Sequence, residues 1–242
     1  MTAQRTFDSK LPNVGQSIFA EMSGLANEYQ ALNLAQGFPN FDCPPGLMDR
    51  VEHHMRKGRN QYAPMPGVPE LKEQIADKVE TLYGAQYDPD TEITVTAGAT
   101  QGLYAVLTTV IGEGDEVIVI EPAFDAYRPM IELNKGVPKY VKLQPPDFQI
   151  DWQEVRQQIS SATRAILINT PHNPSGMVMQ EADLAQLEQI AASHDLFIIS
   201  DEVYEHMVFD GQQHLSVCRY PHIRQKSFAV FSFGKTYHTT GW

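Results

Sequence analysis

From Glu92 onward, short apolar runs rich in β-branched residues alternate with stretches of helical periodicity, and that rhythm admits few folds. The runs are ITVTAG (93–98), DEVIVIEP (115–122), VPKYVKL (137–143), RAILINTP (164–171), LFIISDEVY (196–204) and SFAVFSF (227–233). Between them, ATQGLYAVLTTVIG (99–112), FDAYRPMIELNKG (124–136), DWQEVRQQI (151–159) and MQEADLAQLEQIAASH (179–194) read as helices. Parallel strands require crossover connections, and crossover helices cover both faces of the sheet they join. The expected fold class is α/β: three layers, α/β/α, around a mostly parallel sheet. Upstream, 13–30 carries Val14, Ile18, Phe19, Met22 and Leu25 at helical spacing. A second helix is expected from Pro45 to Gly58, and a third with Leu71, Ile75, Val79 and Leu82 on one face. Residues 1–12 read as a loose arm and 31–45 as a loop.

Composition narrows the class of function. The net charge of −12 disfavours nucleic acid and anionic membrane surfaces as partners. No run approaches the length of a membrane span, and the start has no apolar signal-peptide core. Cys43 and Cys218 have neither CxxC nor zinc-type spacing, which suits free thiols in a cytoplasmic protein. Small-molecule chemistry is what remains.

In open α/β sheets ligands bind beyond the carboxyl ends of the strands. Reading those ends in order gives Gly98, Ala99 and Thr100; then Glu121 to Phe124; then Asn169 to Pro174; then Asp201 to Tyr204; and last Ser232 and Lys235. Singly, each has a plain structural explanation as cap, turn former or solvated charge. Together they form a convergent polar set. His53-His54 and the Met177/Met179 stretch read as surface and packing, and His172 as a residue that shapes its turn.

Lys235 follows an apolar run within Gly-Lys-Thr, which suggests a P-loop. That motif needs a glycine five residues before its Gly-Lys pair, and here Ala229 occupies the place inside the strand. The alternative is a lysine nucleophile that forms a Schiff base with a carbonyl. Pyridoxal phosphate is the common carbonyl cofactor, and its demands are definite. Its ring nitrogen needs a carboxylate, for which Asp201 stands ready. Its phenol oxygen needs donors, Asn173 and Tyr204. Its ring wants a flat partner, Phe124. Its phosphate wants a helix N-terminus and hydroxyls, supplied by Gly98, Ala99, Thr100 and Ser232.

ITVTAGATQ, EPAFDAY, NTPHNPSG, SDEVYEH and SFGKTYHTTGW together resemble the fold-type I pyridoxal-phosphate aminotransferases of class I/II, over essentially the whole chain from Ser9. LAQGFPNFDCP, NQYAPMPG and SFGKTYHTTGW are most similar to the subgroup acting on methionine, kynurenine and glutamine. The resemblance implies that Lys235 holds the cofactor and then shuttles the substrate's α-proton, and that Asp201 pairs with the pyridinium. It implies that Gly37 lies beside the substrate carboxylate, which Asn173 also approaches, and that Tyr62 reaches the phosphate of a neighbouring subunit in a homodimer with shared sites. It implies a ping-pong transfer of an amino group from an amino acid to a 2-oxo acid. A β-lyase acting on cysteine S-conjugates on the same scaffold, or a non-catalytic remnant, would share the cofactor residues. The resemblance also divides the chain into 1–40, an arm and part of a small domain, and 41–242, an incomplete cofactor-binding large domain. Relatives continue beyond Gly241-Trp242 with a basic residue and a long C-terminal portion that supplies a substrate-clamping arginine. The chain is therefore expected to be a truncated form, poorly soluble and inactive when expressed alone.

Overall fold

The computed structural model describes residues 8–242; residues 1–7 of the expected arm lie outside them. Among the described residues the helices are α1 (Ile18–Glu28), α2 (Pro45–Arg56), α3 (Pro69–Tyr83), α4 (Ala99–Val110), α5 (Tyr127–Leu133), α6 (Trp152–Gln158), α7 (Glu181–Ser193), α8 (Pro221–Arg224) and α9 (Phe233–Tyr237). The strands are β1 (Glu116–Glu121), β2 (Val137–Lys142), β3 (Thr163–Asn169), β4 (Phe197–Asp201) and β5 (Ser227–Val230). They form one parallel sheet in the order β2-β1-β3-β4-β5.

Strand alternation builds two cores, one on each face. Ile118, Ile166, Ile168 and Ile198 point to one face and pack with Val155 of α6, Leu184 and Leu187 of α7, and Ile223 of α8. Val117, Val119, Leu167 and Ile199 point to the other and pack with Leu103 and Leu107 of α4 and Ile131 of α5. Each such fully buried aliphatic side chain contributes about 1.5–3 kcal/mol relative to exposure. The three-layer expectation is met.

Local chemistry sets the helix ends. Asp151 Oδ1 accepts the Gln153 and Glu154 N–H groups at 2.9 and 3.0 Å and starts α6. The Gln180 N–H donates to Asp183 Oδ2 at 2.8 Å at the start of α7. Gly84, at φ 66°, ends α3 in the left-handed conformation that glycine adopts without strain. Neither α1 nor α2 buries a residue.

Three expectations are corrected. ITVTAG is not a sheet strand: the Val95 N–H bonds the Pro66 carbonyl at 2.9 Å, and among the described residues no ladder partner runs beside it. β-Branched composition favours a strand, but a ladder needs a neighbour. The LFIISDEVY strand stops at Asp201, and Glu202 to Tyr204 turn away. SFAVFSF stops at Val230, and Phe233 opens α9 with Ser232 as its cap.

Candidate active site

β4 ends on Asp201, whose side chain is 4% exposed. Burial pushes its carboxyl up to about 6, against the Tyr127 hydroxyl, the Val203 N–H and the Lys235 charge, which favour the anion. The Glu202 carboxylate, next in the chain, adds to the upward push. Tyr127 donates to Oδ2, while Oδ1 receives only the Val203 N–H at 3.3 Å. Tyr127 was not expected from the sequence. The signal was there in FDAY, where a phenol follows Phe124 at helical i,i+3 spacing.

Asn173, in the turn after β3, donates through Nδ2 to Tyr204 Oη at 3.4 Å. Burial raises the Tyr204 phenol above its ordinary range and the Asp201 charge raises it further, so it stays protonated and able to donate. Lys235 Nζ lies 5.7 Å from the centroid of the Tyr204 ring. Phe124 is half-buried against the α4/α5 core, edge-to-face with Tyr127 at 5.6 Å between centroids. Phe124, Tyr127 and Asp201 thus form one contact set and Asn173, Tyr204 and Lys235 another, and the Asp201 carboxylate feels the Lys235 charge across the gap between them.

Gly98, Ala99, Thr100 and Ser232, the residues expected to hold the phosphate, lie at the start of α4 and beyond the end of β5. Gly98 precedes α4 at φ 83° with no side-chain cap, and a Cβ there would meet open space. The first-turn N–H groups, including Ala99 and Thr100, have no intrahelical acceptors. α4 packs against β4 and β5, and a Cβ on Gly102 would stand 3.5 Å from Val230 of β5. Ser232 follows Val230 by two residues and accepts the Lys235 N–H on Oγ at 3.4 Å, which fixes the turn that presents the lysine. Gly234 sits so close to Thr240 that a Cβ would come within 3.2 Å of its Cα.

The loop containing Gly37 is tied to α9. His238 Nε2 lies 2.6 Å from the Phe41 carbonyl, its ring meets Phe41 edge-on, and Cys43 Sγ is 3.7 Å from the Tyr237 carbonyl. Gly37 itself is exposed, and Tyr62 is fully exposed; neither touches the cluster through a recorded hydrogen bond among the described residues.

The segment carrying Tyr204 is pinned at two places. Glu202, fully buried, accepts from Ser200 Oγ at 2.8 Å and the Val217 N–H at 3.0 Å, and its other oxygen lies 2.8 Å from His214 Nε2. Glu205 pairs with Lys78 and accepts the Tyr83 hydroxyl at 2.5 Å, both from α3. His172 is buried, bonds Ser175 Oγ at 2.7 Å through Nδ1, and is held below the ordinary histidine range by burial. It shapes the turn, as expected. Met177 and Met179 pack in the core. Cys43 and Cys218 are free, and burial pushes the Cys218 thiol up to about 11.

Known proteins share the sequence and the fold of this chain. The family described as aminotransferase class I and II matches residues 29–242. The methionine aminotransferase of Escherichia coli K12 is 55% identical over 234 residues, covering 97% of this chain and 61% of that protein. A probable N-succinyldiaminopimelate aminotransferase of Mycobacterium tuberculosis is 38% identical, covering 97% of this chain and 59% of its own. The crystal structure of the E. coli methionine aminotransferase superposes with a TM-score of 0.94 at 53% identity, over 99% of this chain and 62% of that one. Thermus thermophilus aspartate aminotransferase with maleate gives 0.91 at 31% identity, over 99% and 63%. The chain thus spans about three fifths of the length of the curated relatives it matches. On the family match, the sequence identities and the shared fold, the chain belongs to the class I and II aminotransferases.

Proposed function

We propose that the chain carries the cofactor site of a pyridoxal-phosphate-dependent transaminase. The observation that carries this reading is Asp201: a buried carboxylate at a strand end with Oδ2 occupied by Tyr127 and Oδ1 nearly free. A cationic ring nitrogen is the partner that such an oxygen lacks. The rest of the donor set also fits the group: two donors side by side in Asn173 and Tyr204, a half-buried aromatic in Phe124, an uncapped helix start, and an amine over Tyr204.

Bound there, pyridoxal phosphate supplies an electrophilic carbonyl and an electron-withdrawing ring that stabilises negative charge at the substrate Cα. The chain's own residues do the rest. Asp201 keeps the proton on the ring nitrogen. Asn173 Nδ2 and Tyr204 Oη donate to the phenol oxygen. Ala99, Thr100 and Ser232 hold the phosphate, helped by the α4 dipole. Phe124 covers one ring face. Lys235 Nζ would hold the cofactor at its carbonyl carbon and, once the substrate's amine had displaced it, would be free as the base that takes and returns the substrate's α-proton.

Substrate and assembly follow as parts of the same proposal. The similarity to a methionine aminotransferase favours methionine as the first amino donor. Gly37 is assigned to the substrate carboxylate together with Asn173, supported by the clamp of its loop onto α9. Tyr62, fully exposed in the single chain, is assigned to the phosphate of a neighbouring subunit in a homodimer. Residues 1–40 are assigned to the arm and part of a small domain, supported by the lack of buried residues in α1. The cytoplasm is the assigned compartment, supported by two free thiols. Among the described residues, no helix is long and apolar enough to cross a membrane.

The test is a binding titration with pyridoxal phosphate, followed by amino donors. Saturable uptake that Lys235→Ala abolishes and Asp201→Ala weakens by about tenfold or more supports the reading. Uptake indifferent to both substitutions contradicts it. With methionine, release of its 2-oxo acid marks amino transfer. With a cysteine S-conjugate, pyruvate and ammonia formed without an oxo-acid acceptor mark β-elimination instead.

A further inference from the structure

Asn169 ends β3 and stands opposite Asp201, the end of β4, in the parallel register. Its side chain is buried at 7% exposure, and both ends of its amide are engaged. Nδ2 donates to the Asp201 main-chain carbonyl at 2.8 Å, and Oδ1 accepts the Asn173 main-chain N–H at 2.7 Å. The partners fix the orientation of the amide, because a carbonyl only accepts and an N–H only donates. The Thr170 N–H shares the Asp201 carbonyl at 3.1 Å. The β3–β4 ladder ends at this pair, so beyond it Asn173 is held by the Asn169 side chain rather than by the sheet.

We propose that Asn169 is a positioning residue that fixes the separation of Asp201 and Asn173, and so aligns the two protein groups that would meet the cofactor's ring nitrogen and its phenol oxygen. This rests on the pyridoxal-phosphate reading above. A pyridine ring is rigid, and the distance from its nitrogen to its phenol oxygen does not adapt. Two protein groups that serve both atoms must therefore hold a matching separation, and a misplacement of about 1 Å forfeits one contact. The ladder sets the height of Asp201. The single amide transmits that height to the Asn173 turn. A turn-closing role alone would need only Oδ1; the bond from Nδ2 to the neighbouring strand goes beyond it.

The test uses Asn169→Ala, with the milder Asn169→Ser as the second variant where alanine prevents folding. Without cofactor, hydrogen exchange at the Asn173 amide is expected to speed up by about tenfold or more in the variant, as its acceptor is lost. With pyridoxal phosphate bound, the pH midpoint of the visible absorption change is read. A donor to the phenol oxygen stabilises its anion, so a displaced Asn173 raises the midpoint, by about half a pH unit or more. Asn173→Ala is expected to raise it in the same direction, and the double variant no further. A residue that merely stabilised the fold would lower the melting temperature and leave the midpoint in place. Normal cofactor uptake with an unmoved midpoint, or unchanged Asn173 exchange, overturns this inference alone. A parent chain that takes up no cofactor overturns the functional reading and the role toward the cofactor together, while the exchange measurement still reports the clamp.

Discussion

Tyr127 and Asp201 join α5 to the end of β4: the phenol donates to Oδ2 at 2.5 Å, and both side chains are buried. The bond does two things. It holds the carboxylate rotamer that leaves Oδ1 with only the Val203 N–H, and it favours the anion that burial disfavours. In Tyr127→Phe the ring still fills its place in the core and only the donor is lost. A hydrogen bond to a charged group contributes about 1.5–3 kcal/mol, so cofactor affinity near neutral pH is expected to fall by about tenfold or more. The fall should shrink as pH rises and the carboxylate ionises fully. An isothermal titration series from pH 6 to pH 8.5, run on both proteins, measures it.

Asp201 also sets a pH dependence of stability in the cofactor-free chain. Its folded carboxyl is raised to about 6, above an unfolded value of about 3.9. The native state therefore holds the proton more tightly. The stabilisation is fully present below about pH 4 and is lost as pH rises through about 6, a swing of about 3 kcal/mol. Asp201→Asn removes this group from the balance. Urea unfolding between pH 4 and 7 should show a flatter profile for the variant and greater stability than the parent at pH 7. Parallel profiles would mean that the carboxyl titrates normally.

Glu202 and His214 form a buried pair whose carboxylate also holds Ser200 and the Val217 N–H. Removing the carboxylate leaves Ser200, the Val217 N–H and the His214 ring without their buried partner, at a cost of about 1–3 kcal/mol for each group left unsatisfied. Glu202→Ala is expected to destabilise by that order, and Glu202→Gln, which keeps an acceptor, by clearly less. Chemical denaturation distinguishes them. Equal losses would show that hydrogen-bond geometry at this site matters little.

Leu107 and Leu187 are fully buried on opposite faces of the sheet. Each Leu→Ala change is expected to cost about 2–5 kcal/mol through lost burial and the cavity left behind. Because the sheet separates them, the double variant should equal the sum within about 0.5 kcal/mol. A much smaller sum would argue that the two cores do not fold as one unit.

The sheet was largely legible in the sequence because its strands are buried on both faces. Runs such as VIVI (117–120) and AILI (165–168) carry no alternation to misread. ITVTAG misled because composition reports a residue's preference and not the presence of a neighbouring strand. The short α9 was hidden because Gly234 and Thr236 are weak helix formers; its one local signal was Ser232, the cap. The candidate cofactor residues Phe124, Asn173, Asp201, Tyr204, Ser232 and Lys235 were legible because each lies at or just beyond a strand end. Tyr127, Glu202 and His214 were not assigned, since their roles depend on partners separated by 74 residues in one case and 12 in the other. No local spacing encodes such contacts. Asn169 was visible at its strand end, but its two bonds run to main-chain atoms, which sequence leaves unspecified.

The most direct measurement is borohydride reduction of the chain mixed with pyridoxal phosphate, followed by peptide mapping. On the proposed reading the residues around Asp201 direct the cofactor to one amine, so the label is expected on Lys235 and to disappear from that peptide in Lys235→Ala. Label scattered over surface lysines in proportion to their exposure, with no preference for Lys235, would contradict the account.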